Sequence, residues 1–113
     1  MQEFEKCPFG ILGLETALAL TLETFVHSGK LSLLQMVSLF TTGPAQVLSL
    51  DRGTLAAGAP ADITIFDTAT EWTYDVNRSH SKSRNSPFHN RKFRGGPVAT
   101  IVGGAFVWRR DRA

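Results

Sequence analysis

The sequence predicts an α+β fold with helices in the first part of the chain and strands in the second. Apolar residues recur at helical spacing up to about residue 50. Beyond Gly58 and Pro60, short runs become rich in β-branched and aromatic residues. Glycine and proline lie between the two patterns, and both interrupt helices. We therefore expect two parts, residues 1–52 and residues 53–113.

The first thirteen residues are predicted to form a loop, because Pro8, Gly10 and Gly13 disfavour a helix. A helix is predicted over residues 14–28, where leucines recur every four residues. Gly29 is a suitable C-terminal stop for this helix.

Two more helices are predicted before residue 52. Ser32 is the expected N-cap of the first, and residues 33–40 are apolar almost all round, which predicts a largely buried helix. Pro44 is expected at the first position of a short helix that ends near Leu50. Helices of this length bury little against one another, so we expect them to form the outer layer of something larger.

The second part is predicted to contain four strands. Residues 58–67 indicate a turn that leads into one buried strand. Residues 78–96 are polar and basic, and we expect them to be the least ordered part. Four strands of this size leave an open edge that calls for a partner strand. The other strands are predicted at 71–75, 97–102 and 105–109, with Gly103-Gly104 as a hairpin turn between the last two.

Charge is divided unevenly along the chain. The residues up to Asn77 include three Lys/Arg and nine Asp/Glu, and those from Arg78 onward include nine Lys/Arg and one Asp. A basic C-terminal third can bind nucleic acid. The pattern favours basic loops that lie against acidic surface elsewhere in the fold, because the cations lack regular aromatic interleaving.

Composition points to a cytoplasmic protein. No run of about 18 apolar residues predicts a membrane span, and the acidic N-terminus does not resemble a secretory signal. The single cysteine, Cys7, excludes an internal disulfide and suits a reducing compartment.

No constellation in the chain predicts chemistry of its own. His-x-His, Cys-x-x-Cys and glycine-rich phosphate loops are all missing from the sequence. His80 and His89 lie in the polar segment and are more typical of solvated loop residues than of metal ligands. His27 is expected at a helix end, and Cys7 is expected to be a buried or inert thiol. We therefore predict neither catalytic nor metal-binding residues, and no stoichiometric zinc in the isolated chain.

Three segments together resemble the C-terminal end of a dihydroorotase, a member of the amidohydrolase superfamily. The first covers residues 4–16 and includes Pro8-Phe9-Gly10. The second covers residues 53–67 and is similar to a segment that hydantoinases and allantoinases share. The third joins residues 81–88 with residues 98–104, and it is most similar to dihydroorotases.

The resemblance implies the last helices of a (β/α)₈ barrel in residues 1–52 and part of a small β-sandwich in residues 53–113. In the family, a binuclear zinc site activates the hydroxide that opens dihydroorotate, a step of pyrimidine synthesis. The metal ligands and the catalytic aspartate of the family precede this region, so none maps onto this chain. The substrate-binding residues that do carry over are Pro8, Phe9 and Gly10, through their backbone.

The resemblance therefore implies the last quarter of a dihydroorotase, from a truncated or split gene, that is inactive without the missing barrel. A complementing N-terminal chain, a second copy or a transcarbamoylase are the partners it suggests. Three alternatives stay open: a fragment of hydantoinase or allantoinase type, a non-catalytic scaffold that pairs with a transcarbamoylase, and a nucleic-acid binder that uses the basic C-terminal third. The third segment argues against the hydantoinase and allantoinase alternative.

Overall fold

The computed structural model describes residues 6–110, which form three short helices followed by a three-stranded antiparallel sheet. Helix α1 covers Ala17–Thr21 and continues as a π-helical turn over Leu22–Val26. Helix α2 covers Leu33–Phe40 and α3 covers Thr42–Val47. The strands are β1 (Ile63–Thr73), β2 (Lys92–Val102) and β3 (Ala105–Arg109), and a 3₁₀ turn covers Val76–Arg78. The α+β prediction is confirmed.

The helix boundaries follow local chemistry. Ser32 caps α2 as predicted: its side chain accepts from the Gln35 amide, and the Gln35 side chain accepts from the Ser32 amide. Gly29 ends the first helical segment with φ +74°. That segment begins at Ala17, three residues later than predicted, because Leu14 is solvent-exposed and does not pack as a first-turn residue.

The sheet has the order β1-β2-β3, with β2 between two edge strands. Gly103 and Gly104 form the β2–β3 hairpin turn as predicted, both with positive φ. Strand β1 was predicted to be buried, and this is wrong: Thr64 and Ile65 are exposed, because β1 is an edge strand.

Four strands were predicted and three are found. The strand predicted within residues 58–67 and the first part of the one predicted at 71–75 belong to one long strand, β1, whose pairing with β2 is interrupted between Asp67 and Glu71. At the interruption, the Asp67 carboxylate accepts from the amides of Ala69 and Thr70. A polar turn thus lies inside the strand without ending it.

The loop predicted over residues 78–96 is also shorter and more ordered than expected. Strand β2 begins at Lys92, so its first five residues precede the predicted start at Pro97. The prediction failed because Gly95 and Gly96 are typical loop residues, yet here they pair within the strand. Glycine is required where Asp67 and Trp72 approach β2 closely.

The core lies between α1, the first part of β2 and the segment after β1. Ala19, Tyr74, Val76 and Phe93 form the buried cluster, and Trp72 packs against it. The Trp72 and Phe93 rings lie 5.4 Å apart, and the Trp72 indole N–H donates to the Gly95 carbonyl at 2.8 Å. This cluster fixes α1, and the loop before it, against the sheet.

Helix α2 is not buried as predicted. Met36 is its one fully buried residue, while Leu34 is 80% exposed. Leu33, Leu39 and Phe40 are also exposed. Among residues 6–110, nothing covers this apolar face. None of the helices in that range has the length and hydropathy that a bilayer crossing needs.

Candidate functional site

The loop that carries Pro8, Phe9 and Gly10 lies on the surface just before α1. Every residue from Lys6 to Ile11 is exposed, and the Phe9 ring is fully so. Gly10 adopts φ +72°, a left-handed conformation that glycine takes without strain. A Cβ at Gly10 would meet no atom within 4 Å, so the space beside its backbone is open to a ligand.

Asn85 lies in the segment between β1 and β2, and it connects that segment to the Pro8–Gly10 loop. Its side-chain amide donates to the Gly10 carbonyl. Its backbone carbonyl accepts from the Leu12 amide at 2.8 Å. The first and third segments that carry the family resemblance are thus in direct contact, although 75 residues separate Gly10 from Asn85.

A ladder of serine turns, residues 79–85, leads up to Asn85. The hydroxyl of Ser79 accepts from the Ser81 amide at 3.2 Å, and the hydroxyl of Ser81 accepts from the Ser83 amide at 3.3 Å. The Ser83 hydroxyl then accepts from the Asn85 amide at 3.2 Å. Arg84 braces the same turns, donating to the carbonyls of Ser81 and Ser83. Serine at every second position therefore gives this segment a defined shape.

Glu15 anchors the start of the serine ladder to the helical part. One carboxylate oxygen accepts from the Ser79 hydroxyl and from the His80 amide, each at 2.9 Å. Ser79 is buried at this contact. Hydrogen bonds to a carboxylate are stronger than neutral ones, so Glu15 is a firm attachment point for the whole segment.

An open groove runs between the helices and the sheet. Its volume is about 1770 Å³, larger than the roughly 300–1,000 Å³ typical of small-molecule pockets. Glu15, Arg78 and His80 line a polar part of it, and Met36 and Phe40 belong to its apolar wall. A space of this size and character is not a small-ligand site by itself.

The histidines and the cysteine are dispersed. His27 lies at a helix end, as predicted, and its Nε2 is 3.2 Å from the Arg94 carbonyl. His80 lies beside Glu15, whereas His89 accepts from the Val76 amide through Nδ1 and lies beside Asp75. Cys7 is exposed, so it is not the buried thiol that was one of the two expectations, and its expected inertness stays a prediction. Within residues 6–110, no three His, Cys, Asp or Glu side chains gather where a metal ion would fit.

Some of the basic residues after Asn77 form ion pairs with acidic residues that precede it in the chain. Arg91 pairs with Glu23 at 2.7 Å, and its guanidinium also lies over the Phe93 ring. Arg110 pairs with Asp67 at 3.0 Å and donates to the Pro97 carbonyl. The expectation that basic segments lie against acidic ones is met at Glu23.

Asp67 has a shifted pKa. Partial burial raises the pKa of Asp67, but the amide N–H groups of Thr70 and Ala69, and then Arg110, lower it by more. The net pKa is below the ordinary value of 3.8. Asp67 is therefore a charged structural residue that holds the interruption in β1.

The role of the Pro8–Gly10 loop in substrate binding stays a prediction from the family resemblance, and the residues that hold the loop were not predicted. Asn85, Glu15 and Ser79 have no catalytic motif around them. A signal was present in the Ser-x-Ser-x-Ser-x-Asn spacing of residues 79–85, since each of these side chains can accept from an amide two residues later. The partner of Asn85 lies far away in sequence and was not predictable.

Comparison with known proteins identifies the family. A profile of the amidohydrolase family matches residues 8–108. The chain belongs to the amidohydrolase family. It is 64% identical over 111 residues to a protein named dihydroorotase from Solibacter usitatus, a match that covers 98% of this chain and 26% of that protein. It is 50% identical over 109 residues to the dihydroorotase of Endomicrobium trichonymphae, a match that covers 96% of this chain and 26% of that protein.

Solved structures of amidohydrolases share the fold of this chain. The L-hydantoinase (dihydropyrimidinase) of Arthrobacter aurescens superposes with a TM-score of 0.81 at 34% identity, over 91% of this chain and 23% of that one. The chain thus spans about a quarter of the length of the curated and structural relatives that it matches.

Proposed function

We propose that this chain forms the C-terminal part of a dihydroorotase that opens and closes the ring of dihydroorotate. In this proposal, residues 1–52 are the last helices of the (β/α)₈ barrel and residues 53–113 are part of the β-sandwich. The identity of 64% to a protein of that name, spread over 98% of the chain, supports the proposal.

The observation that carries the proposal is the contact between the Pro8–Gly10 loop and Asn85. These segments are the two whose resemblance separates dihydroorotases from hydantoinases. Their contact makes one surface in which a glycine backbone is open to a ligand. A flat ring rich in amide groups suits such a surface, because backbone N–H and C=O groups pair with both its donors and its acceptors.

The openness of the chain supports the view that other segments complete it. A folded monomer of this mass exposes about 6,100 Å², whereas this chain exposes 8640 Å². Its radius of gyration is 16.1 Å, against about 13 Å for a compact domain of this length. We propose that the rest of the barrel covers α2 and fills the groove.

The chain's own part in the reaction is binding and orientation. The Phe9–Gly10 backbone would hold the pyrimidine ring, and Asn85 would hold that backbone. Amidohydrolases are generally metal-dependent, but residues 6–110 offer no cluster that fits a metal. Any zinc of the assembled enzyme would be held by residues outside the range 6–110.

The proposal extends to cellular setting and partners. Dihydroorotate is the proposed substrate, pyrimidine synthesis the proposed role and the cytoplasm the proposed location. A chain that supplies the barrel, a second copy or a transcarbamoylase are the candidates for partners. The alternative is a hydantoinase-type ring opening. The superposition with the Arthrobacter aurescens enzyme supports this alternative.

A hybrid enzyme separates the two activities. The hybrid is the Solibacter usitatus dihydroorotase in which this chain replaces the matching stretch. We expect it to open dihydroorotate at a rate within about tenfold of the unmodified relative and to leave a 5-substituted hydantoin unchanged. A folded hybrid that opened only the hydantoin, or neither compound, would overturn the proposal.

A further inference from the structure

The side chains of the Pro8–Gly10 loop are exposed, so burial contributes little to holding the loop in position. All residues from Lys6 to Ile11 are exposed, and the Phe9 ring is fully in solvent. An exposed loop with few buried apolar contacts needs little free energy to open locally. The hydrogen bonds that this loop makes must therefore determine where its backbone lies.

Asn85 makes two such bonds, one on each side of Ile11. Its side chain donates to the Gly10 carbonyl, and its carbonyl accepts from the Leu12 amide. Two bonds on alternate residues fix both the position and the rotation of the intervening backbone. Gly10 needs this restraint most, because glycine at φ +72° has many other accessible conformations.

We propose that Asn85 is the positioning residue for the Phe9–Gly10 backbone, so that it sets the affinity for a cyclic amide substrate. The inference rests on the proposed function, since it assigns a role within the proposed substrate site. Asn85 does not touch the ligand in this account. It acts through Gly10, whose carbonyl it holds in one direction.

The serine ladder makes Asn85 a rigid support. Each step from Ser79 to Asn85 is a hydroxyl that accepts from the amide two residues later. The first step is attached to Glu15 through the buried Ser79 hydroxyl. Glu15 lies five residues after Gly10. Residues 79–85 are therefore hydrogen-bonded at one end to Gly10, through Asn85, and at the other end to Glu15, just before α1.

The amide of Asn85 is chemically required for this role. An aspartate of the same shape has no N–H to donate, and its charge would repel the Gly10 carbonyl. Asn85→Asp in the hybrid enzyme is therefore the primary variant. Asn90→Asp is the matched control, because it makes the same charge change at an exposed residue in the same part of the chain. Asn90 has φ +63°, a conformation that aspartate also tolerates.

Steady-state kinetics with dihydroorotate supply the first readout. Loss of one hydrogen bond in the site should raise KM about tenfold in Asn85→Asp, with kcat within about twofold of the parent hybrid. Asn85→Ala, which removes the donor without adding charge, should raise KM about threefold. Asn90→Asp should match the parent in both constants. An unchanged KM in Asn85→Asp, or an equal rise in Asn90→Asp, would overturn the inference.

Amide hydrogen exchange of the same hybrids supplies a readout that needs no activity. The Leu12 amide, which donates to the Asn85 carbonyl, should exchange about tenfold faster in Asn85→Asp than in the parent, and at the parent rate in Asn90→Asp. An inactive parent hybrid would contradict the proposed function, whereas the exchange of its loop would still decide whether Asn85 positions Gly10. Equal exchange in the parent and in both Asn85 variants would refute the positioning role.

Discussion

Gly95 lies at the point where β2 passes the polar turn inside β1. A Cβ at this position would approach the Asp67 carbonyl oxygen at 2.9 Å and the Leu22 side chain at 3.0 Å. Its φ of +79° is also unfavourable for other residues. Gly95 therefore allows the π-helical turn after α1, β1 and β2 to meet at one place.

Gly95→Ala should lower the free energy of unfolding by about 2 kcal/mol, because both the added methyl group and the positive φ are unfavourable. Urea denaturation followed by circular dichroism measures the change. Gly13→Ala is the control, since a Cβ there would meet no atom within 4 Å and its φ is not positive. Equal stability of the two variants would contradict the packing described around Gly95.

Asp67 makes the stability of the sheet depend on pH. The pKa of Asp67 is lowered in the folded chain, with partial burial opposing and the Thr70 and Ala69 amides and Arg110 favouring the charged form. A lowered folded pKa stabilises the fold above the unfolded pKa of about 3.9, and this contribution is lost as the pH falls through the folded pKa.

Asp67→Asn should therefore destabilise the chain most above about pH 5, and the difference from the parent should shrink as the pH falls below the unfolded pKa of about 3.9. Urea denaturation at a series of pH values tests this. Asp51→Asn changes an exposed carboxylate and serves as the control. A difference between parent and Asp67→Asn that stayed constant down to pH 3 would show that the charge of Asp67 is not responsible.

Residues whose role depends on neighbours in the chain were predictable. Ser32 was recognisable as an N-cap and Gly103-Gly104 as a hairpin turn, because both motifs are complete within a few residues. Asn85 and Glu15 were not, because their partners lie more than sixty residues away. The Pro8–Gly10 loop was proposed through family resemblance, and its hydrogen bonds to Asn85 became visible only in the structure.

At the scale of elements, helix α2 depends on its cap more than on burial. Only Met36 of its eight residues is fully buried. A short helix with so little packing is marginal in water. The reciprocal hydrogen bonds between Ser32 and Gln35 satisfy two backbone N–H groups at the N-terminus of the helix that would otherwise lack an acceptor.

Ser32→Ala should destabilise the chain by about 1 kcal/mol and reduce its helical circular dichroism signal. Ser38→Ala, within the same helix, should have an effect below about 0.5 kcal/mol, because the Ser38 hydroxyl only bonds back to the Gln35 carbonyl. A Ser32→Ala variant as stable as Ser38→Ala would mean that the capping box does not contribute.

The strand errors have a common physical cause. Sequence patterns place Asp67 and the pair Gly95-Gly96 in loops, since these residues are typical of turns. In the structure, the Asp67 turn and the two glycines face each other across β1 and β2. The turn at Asp67 fits against the two glycines of β2. This match was not predictable, because the sequence of either segment alone does not show that the other lies opposite it.

At the scale of the whole molecule, the exposed apolar surface distinguishes this chain from a compact domain. Leu34, Val47 and Leu55 are each at least 80% exposed. The prediction that α2 would be buried was wrong within residues 6–110, because the apolar pattern of a helix does not say which segment covers it. The division into a barrel part and a sandwich part stays a prediction.

Such a chain should fold cooperatively only when its apolar faces are covered. We expect the melting temperature of the purified chain to rise with protein concentration, as self-association covers these faces. Calorimetry combined with sedimentation at several concentrations measures this. A sharp melt of a monomer at the same temperature across a hundredfold concentration range would contradict the expectation.

The most direct test of the central claim compares ring opening of dihydroorotate by the hybrid enzyme and by the purified chain, both with added zinc. The account predicts turnover by the hybrid and the buffer rate for the chain alone, because it proposes that the chain contributes a substrate-binding loop while the reactive centre lies in the rest of the barrel. Turnover by the chain alone would place the chemistry within these residues. A folded hybrid without activity would show that this chain does not provide a dihydroorotase substrate site.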